Sequence, residues 1–208
     1  MKQKIGLVEN TVFRNLLQTI LMKKLLLITL TAIFSFGAQA QDDASMKAWM
    51  DYATPGDMHK MLGKYNGHWT ANTKMWMDPS QPPMESTAEV TTDMYMGDRY
   101  QKSAFNGSMM GMPFQGESVT GYDNARKIFF HTWIDNMGTG MMYGEGTWNN
   151  ATKSIEFKGM TTDPMTKAQM PFREVVKYTS DDSYTFEMYN TYAGKEYKSM
   201  EITYTRKK

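Results

Sequence analysis

From His68 to the C-terminus, apolar and polar residues alternate in short segments, and helical spacing is absent. The segments are rich in Thr, Tyr, Phe, Val and Met, and most of these residue types favour strands. Clusters of Gly, Pro, Asn and Asp separate the segments, and these residues form turns. The pattern predicts ten strands, at residues 68–77, 85–95, 99–105, 114–122, 128–134, 141–148, 154–162, 169–179, 183–190 and 196–206.

Ten strands joined by short turns, without a helix between them, are typical of an antiparallel meander. A twisted sheet of this size curls and closes, which removes its exposed edges. The alternation also defines two faces: in the last strand Met200, Ile202 and Tyr204 share one side. The sequence therefore predicts an all-β fold, an antiparallel up-and-down barrel of about ten strands.

Two short helices are predicted before the strands. Residues 44–52 carry apolar side chains at helical spacing. A second helix is predicted to begin with Thr54 as its N-cap and Pro55 at its first position. We therefore assign residues 41–66 to an N-terminal helical segment and residues 67–208 to the barrel domain.

The N-terminus has the pattern of an export signal. Lys23-Lys24 precedes an apolar core at residues 25–36, and Ala38-Gln39-Ala40 follows as a cleavage site. The core is shorter than the ~20 residues that span a bilayer, so no membrane span is expected to be retained. Residues 22–40 are thus predicted to be a signal peptide cleaved after Ala40, and residues 1–21 a mis-assigned upstream extension. The mature protein is expected in the periplasm or secreted.

Composition narrows the possible partners of this mature chain. From Gln41 onward it has 18 Lys and Arg against 21 Asp and Glu. This weakly acidic balance provides no basic surface for nucleic acid. The chain has no Cys, so a lipoprotein anchor at the cleavage site is excluded. None of these features indicates an oligomeric state.

Gly67-His68-Trp69, at the entry to the first strand, resembles the G-x-W motif that opens lipocalin-like barrels. In that superfamily, a Trp at the base of the barrel packs against an Arg from a late strand. Arg206 lies on the same alternating face as Tyr204. The resemblance therefore implies that Gly67, Trp69 and Arg206 form a structural signature, with a cation–π contact between Arg206 and Trp69.

A longer series of motifs runs through nearly the whole predicted barrel. It comprises Gly67-His68-Trp69, Gly97-Asp98-Arg99-Tyr100, Gly111-Met112-Pro113-Phe114-Gln115-Gly116, Gly121-Tyr122-Asp123, Trp133-Ile134-Asp135-Asn136-Met137-Gly138-Thr139-Gly140, Asp163-Pro164, Phe172-Arg173-Glu174 and Tyr204-Thr205-Arg206-Lys207. Over residues 55–206 this series resembles the bacterial domain-of-unknown-function family 1579, which implies an exported, lipocalin-like or calycin-like barrel. That family has no established reaction, so the resemblance implies no catalytic residue.

The interior of the predicted barrel is the candidate binding site, because ligand pockets are mostly apolar with a few converging polar groups. Arg173 is expected to face this interior, where it either pairs with an acid such as Glu187 or holds an anion. The predicted ligand is a small apolar or anionic amphipathic molecule, with no cofactor and no metal. The candidate lining residues are Trp76, Tyr100, Phe114, Tyr122, His131, Trp133, Arg173 and Tyr189.

An enzyme is the first alternative. A barrel hydrolase or isomerase could use His131 as a general base together with Asp135 or Glu145. The chain has no nucleophile elbow, P-loop or dinucleotide-binding glycine pattern. The absence of these motifs favours a non-catalytic binding protein, and an enzyme remains the alternative.

Copper binding is the second alternative. Twenty of the 22 Met residues lie in the mature chain, and thioethers are soft ligands suited to Cu(I). Met109, Met110 and Met112 fall within the segment 106–113, which is predicted to connect the third and fourth strands. The other Met residues follow the strand alternation, which favours packing or pocket lining. Met109 and Met110 are expected to cap the mouth of the barrel.

Overall fold

The computed structural model describes residues 42–192 and 194–208. Two helices come first, α1 at residues 42–53 and α2 at Asp57–Gly63. The chain divides into two compact units between Asp51 and Tyr52, and α1 exposes Met46 and Trp49 on its surface. The interpretations of residues 1–21 and 22–40 lie outside the described residues and remain predictions.

Ten strands follow the helices and form one closed, antiparallel, up-and-down barrel, so the predicted fold class is confirmed. Every strand pairs with its neighbours in sequence, and β1 pairs with β10 to close the sheet. The strands are β1 (Gly67–Met75), β2 (Met84–Tyr95), β3 (Tyr100–Met109), β4 (Met112–Asp123), β5 (Ile128–Asp135), β6 (Met142–Asn149), β7 (Ser154–Thr162), β8 (Gln169–Ser180), β9 (Ser183–Tyr192) and β10 (Lys195–Arg206). In the described part of the chain, neither helix is long and apolar enough to span a bilayer.

Helix α2 closes the end of the barrel from which β1 starts. Its Leu62 is fully buried against the barrel residues Phe129, Ile155 and Phe157. The Leu62 carbonyl accepts a hydrogen bond of 2.6 Å from the Gln101 side chain on β3. This short helix thus fills one end of the barrel, where apolar burial and a hydrogen bond to β3 hold it.

The N-terminus of α2 differs from the prediction. The helix begins at Asp57 and its N-cap is Gly56, so Thr54 and Pro55 lie outside it. The His59 Nδ1 atom accepts a 3.0 Å hydrogen bond from the Gly56 backbone N–H. Because His59 is buried, this bond sets the start of the helix two residues later than the Thr-Pro pattern indicates.

Arg206, at the end of β10, joins α2 to the barrel. Its guanidinium carbon lies 4.2 Å from the centre of the Trp69 ring, the contact that the lipocalin resemblance implies. Its Nη1 and Nη2 atoms donate to the carbonyls of Asn66 (2.5 Å) and Lys64 (2.9 Å). A Cβ on Gly67 would lie 2.9 Å from Nη1, and Gly67 has a φ of 125°, so this position requires glycine.

The connection between β3 and β4 is shorter than predicted. The loop contains only Met110 and Gly111, and most of segment 106–113 belongs to the two strands. Both loop residues have positive φ, 53° and 79°, as a type I′ hairpin requires. The Asn, Gly, Ser and Pro residues of this segment were interpreted as a loop, but cross-strand pairing outweighs their weak strand propensity.

Candidate ligand-binding cavity

A cavity of about 330 Å³ occupies the interior of the barrel. One wall is aromatic and comes from β8, β9 and β10. The rings of Tyr184 and Tyr204 stack at 4.1 Å with 9° between their planes, and Tyr178 packs on Tyr65 at 4.4 Å. Burial raises the pKa of Tyr178, Tyr184 and Tyr204, so this wall consists of neutral phenols.

The facing wall carries a polar stripe. Gln101, Thr120 and His131 lie side by side in register across β3, β4 and β5, and all three line the cavity. His131 Nδ1 is 3.1 Å from Thr120 Oγ1. Gly144 lies directly opposite His131 on β6, and Phe157 and the Phe172 ring occupy the space beside it, each 3.3 Å from where a Cβ would stand.

Glu174 on β8 is the acid beside this stripe. It is 2% exposed, lines the cavity, and its Oε2 lies 4.0 Å from His131 Nε2. Burial raises the pKa of Glu174 to about 8 and lowers the pKa of His131 to about 4. Both shifts have the same cause, desolvation of the charged form. Near pH 7, the cavity therefore holds a largely protonated acid beside a neutral imidazole.

Methionines line the cavity toward the end opposite α2. We call them the methionine rim: Met75, Met109, Met137, Met142, Met188 and Met200. Met75, Met200 and Met188 are neighbours across β1, β10 and β9. Unbranched thioether side chains adapt to irregular shapes, so the rim can repack around molecules of different outline.

Three of the eight predicted ligand-binding residues line the cavity, namely Phe114, His131 and Trp133. Phe114 and Trp133 stack with ring centres 6.2 Å apart. Tyr122 packs against His59 and Phe129 near α2 and does not line the cavity. Tyr100 lies on the outer surface against Phe130. Trp76 follows the end of β1 and also lies outside the cavity lining.

Arg173 and Tyr189 form a cluster on the outside of the barrel. The guanidinium lies 3.8 Å from the centre of the Tyr189 ring and is bound to Glu196 at 2.9 and 2.8 Å, and to Glu156 at 3.4 Å. The expectation of a paired Arg173 is met, but on the opposite face and with other acids than Glu187. Adjacent strand residues point to opposite faces, so Glu174, the next residue, faces the interior.

Sequence reasoning missed Glu174, although a signal for it was present. Phe172, Glu174, Val176 and Tyr178 alternate along β8, and this apolar face marks the inward side. Arg173 was expected to face inward because β8 carries apolar residues on both of its faces. The face with the larger aromatic residues is the one that packs inside the barrel.

The carboxylates proposed for an enzyme do not meet His131. Glu145 is on the outer surface, where Arg126 binds it at 2.8 and 2.6 Å and the Tyr143 hydroxyl donates to it at 2.7 Å. Asp135 lines the cavity, but it is four residues along the same strand from His131, about 13 Å at the usual strand rise. The structure thus brings His131 together with Glu174.

The three Met residues of the copper alternative lie in different environments. Met109 lines the cavity, whereas Met110 and Met112 are 69% and 51% exposed. Met109 thus lies at the barrel mouth, and Met110 projects into solvent from the loop. Within residues 42–192 and 194–208, no group of three or more His, Asp or Glu residues is placed to hold a metal ion.

The fold and the cavity define a class: a closed antiparallel barrel whose inward side chains surround a space rather than fill it. The chain belongs to the family described as "Protein of unknown function (DUF1579)", whose model matches residues 54–206. No curated protein is matched by the sequence.

Solved structures similar to this barrel include the following two. The first is Rv2717c from M. tuberculosis, with a TM-score of 0.55 and 13% identity over 74% of this chain and 100% of that one. The second is a redesigned beta barrel, b11L5F_LGL, with a TM-score of 0.38 and 12% identity over the same shares. The first similarity supports the fold alone, and the second is too weak to carry an argument.

Proposed function

We propose that the mature protein is an exported, non-catalytic barrel that binds a small apolar or amphipathic molecule. The observation that carries this proposal is the cavity of about 330 Å³ at the centre of the barrel. Its volume lies at the lower end of the roughly 300–1,000 Å³ that ligand pockets occupy. The signal peptide predicted at residues 22–40 supports the proposed location.

The composition of the lining supports an apolar ligand. Aromatic rings from β8 to β10 form one wall, and the methionine rim lines the end of the cavity opposite α2. Most of the lining residues are apolar or aromatic, and two of the polar ones are already engaged: Gln101 donates to α2, and Ser103 shares a 2.8 Å hydrogen bond with Thr92. Apolar burial therefore supplies most of the affinity, and the remaining polar groups orient the ligand.

A matched pair of substitutions tests the proposal. Ala88 faces the cavity from β2, and Ala104 on β3 lies on the face opposite to the buried Ser103 and Phe105. Ala88→Leu should fill part of the cavity and abolish binding of an apolar fluorescent dye. Ala104→Leu makes the same chemical change on the outside and should leave binding intact.

Thermal unfolding of both variants shows whether each remains folded, so that lost binding is not mistaken for lost structure. Native mass spectrometry of the protein recovered from its host provides a second measurement, the mass of any co-purified molecule. If no dye and no co-purified molecule binds, or if both variants bind as the wild type does, the proposal is wrong.

A further inference from the structure

The lining of the cavity is acidic in character. Among the lining residues that the structure describes, the acids are Asp135 and Glu174, and none is Lys or Arg. The Asp135 carboxylate is already occupied, because Trp133 Nε1 donates to it at 2.7 Å and the Met137 N–H at 2.9 Å. Glu174 is therefore the acid that remains available to a ligand.

Glu174 has an unfilled hydrogen-bonding position. Its Oε2 is buried and has no hydrogen-bond partner among the described residues. His131 Nε2, at 4.0 Å, is too distant to serve as one. Buried polar atoms are nearly always paired, because an unmade hydrogen bond in a dry environment is costly. A carboxyl oxygen left unpaired inside a ligand-sized cavity indicates a position where a ligand group belongs.

The surroundings of Glu174 suit a positively charged group. Phe157 lies directly opposite Glu174 on β7, and burial together with a charged Glu174 raises the pKa of Tyr204 on β10. The electron-rich faces of aromatic rings attract organic cations. An anion at this position would meet a carboxyl group and aromatic faces, with no described basic side chain to balance it.

We propose that Glu174 binds the polar end of the ligand, and that this ligand is a primary or secondary amine with an apolar tail, bound as its ammonium form. The inference rests on the proposed binding function and specifies its ligand class. The ammonium donates to Glu174 Oε2, its positive charge lies among the aromatic rings, and the tail extends toward the methionine rim. The anionic ligand expected from Arg173 is replaced by a cationic one, because Arg173 lies outside.

A proton must leave when the ammonium binds. Burial raises the pKa of Glu174 to about 8 in the empty cavity, so at pH 7 the acid is mostly protonated. Pairing with an ammonium favours the carboxylate, and the Glu174 proton passes to solvent. Amine affinity should therefore rise with pH up to about 8 and then level off, until the amine itself loses its proton.

The other titratable groups that face this space are His131, Asp135 and four tyrosines, Tyr65, Tyr178, Tyr184 and Tyr204. His131 is neutral throughout this range because burial lowers its pKa to about 4. The pKa of each of the four tyrosines is raised. The Asp135 carboxylate accepts hydrogen bonds from Trp133 Nε1 and from the Met137 N–H. The pH dependence of amine binding between neutrality and pH 8 therefore reports on Glu174.

Isothermal titration calorimetry with octylamine, 1-octanol and octanoate tests the inference, because the three probes share one tail and differ in the head group. At pH 8, octylamine should bind about ten- to a hundredfold more tightly than 1-octanol, as expected for a charged hydrogen bond. Octanoate should bind most weakly. Titrations at pH 7 in two buffers of different ionisation enthalpy should show proton release with octylamine and none with 1-octanol.

Glu174→Gln keeps the shape of the side chain but removes the titrating carboxyl. It should lose the preference for octylamine and the proton release, and should still bind 1-octanol. Glu117→Gln is the control, since Glu117 pairs with Lys102 on the surface and should behave as the wild type. If Glu174→Gln fails to fold, the head-group series and proton release of the wild type still decide the question.

Two failures can be told apart. If octylamine and 1-octanol bind equally and neither releases a proton, the amine inference is overturned while the binding function stands. The same conclusion follows if octanoate binds most tightly. If none of the three probes binds, and Ala88→Leu leaves the binding of the apolar dye unchanged, the proposed function fails as well.

Discussion

At the scale of single residues, the neighbours Arg173 and Glu174 show how strand parity decides the chemistry of the barrel. Arg173 meets acids and a tyrosine ring in solvent, where its charge is compensated. Glu174, one residue later, is buried in the interior beside His131. The same two side chains in exchanged positions would make a cavity for anions. A shift of one residue therefore inverts the predicted charge preference of the site.

Glu174 should make stability depend on pH. Its pKa is about 8 in the folded protein, against 4.5 for the exposed group, so the folded state binds more protons than the unfolded state between these values. Stability therefore falls as pH rises through this window. His131 acts in the opposite sense, but only between its folded pKa of about 4 and its ordinary 6.5. Above pH 6.5 the Glu174 effect should stand alone.

Urea unfolding measured from pH 6.5 to 8 checks this prediction. The wild type should lose about 1.5–2 kcal/mol of unfolding free energy across the range, and Glu174→Gln should show a nearly flat profile. The control Glu117→Gln should follow the wild type. Equal slopes for wild type and Glu174→Gln would show that Glu174 does not carry the raised pKa.

Gly67 gives a second prediction at this scale. Gly67→Ala places a Cβ against Arg206 Nη1 in a backbone conformation with positive φ. We expect a loss of about 1–3 kcal/mol of unfolding free energy, the usual cost of a strained backbone position. Gly138→Ala, where an added Cβ meets open space, is the control and should change stability little. Denaturant unfolding followed by tryptophan fluorescence measures both, and equal stabilities would contradict the argument.

At the scale of elements, the hairpin between β3 and β4 contains a residue that is poorly suited to its position. Met110 has a φ of 53° and is exposed, whereas type I′ turns favour Asn before Gly. Met110→Asn should therefore raise the unfolding free energy by about 0.5–1 kcal/mol, because Asn tolerates the left-handed region.

Met112→Asn is the matched control for this prediction, since Met112 is also exposed but has no positive φ. It should give no gain in the same denaturant titration. Met110→Asn should also leave dye binding unchanged, because Met110 does not line the cavity. A loss of stability in Met110→Asn would contradict the assignment of the turn.

The elements could be predicted from the sequence because their signals are local. The apolar–polar alternation and the Asx and Gly turn residues predicted ten strands in the correct order, because both signals act within a few residues. The predicted bounds of an element were wrong where a contact with residues distant in sequence determines them. The start of α2 depends on His59 being buried, and β3 extends through Asn106 to Met109 because β4 pairs with it.

The candidate site was harder to predict for the same reason. Phe114, His131 and Trp133 face the cavity from β4 and β5, but β5 carries apolar residues on both faces, so alternation alone did not select the inward one. Tyr122 points inward but ends beneath α2, a placement set by helix packing. Glu174 was missed because an interior carboxyl near an imidazole is a property of the closed barrel, where β5 and β8 are distant in sequence and close in space.

At the scale of the whole molecule, the proposed export route gives a prediction about its processing. Protein recovered from the periplasm or medium of the native host should begin at Gln41, as N-terminal sequencing can show. Ala40→Arg disrupts the small-residue cleavage site and should accumulate as a longer precursor. Recovery of any peptide from residues 1–21 in the host would contradict the interpretation of Met22 as the true start.

The seam between β1 and β10 has a consequence for when the protein acquires its ligand. These strands are the first and last of the barrel, so they pair across the greatest separation in sequence. Arg206 and Trp69 join across this same seam. The interior space does not exist until β10 arrives, and a chain exported in the unfolded state has no interior to load. Under the proposed export route, the proposed ligand would therefore come from the compartment where the chain folds, and the protein would act there as a receptor.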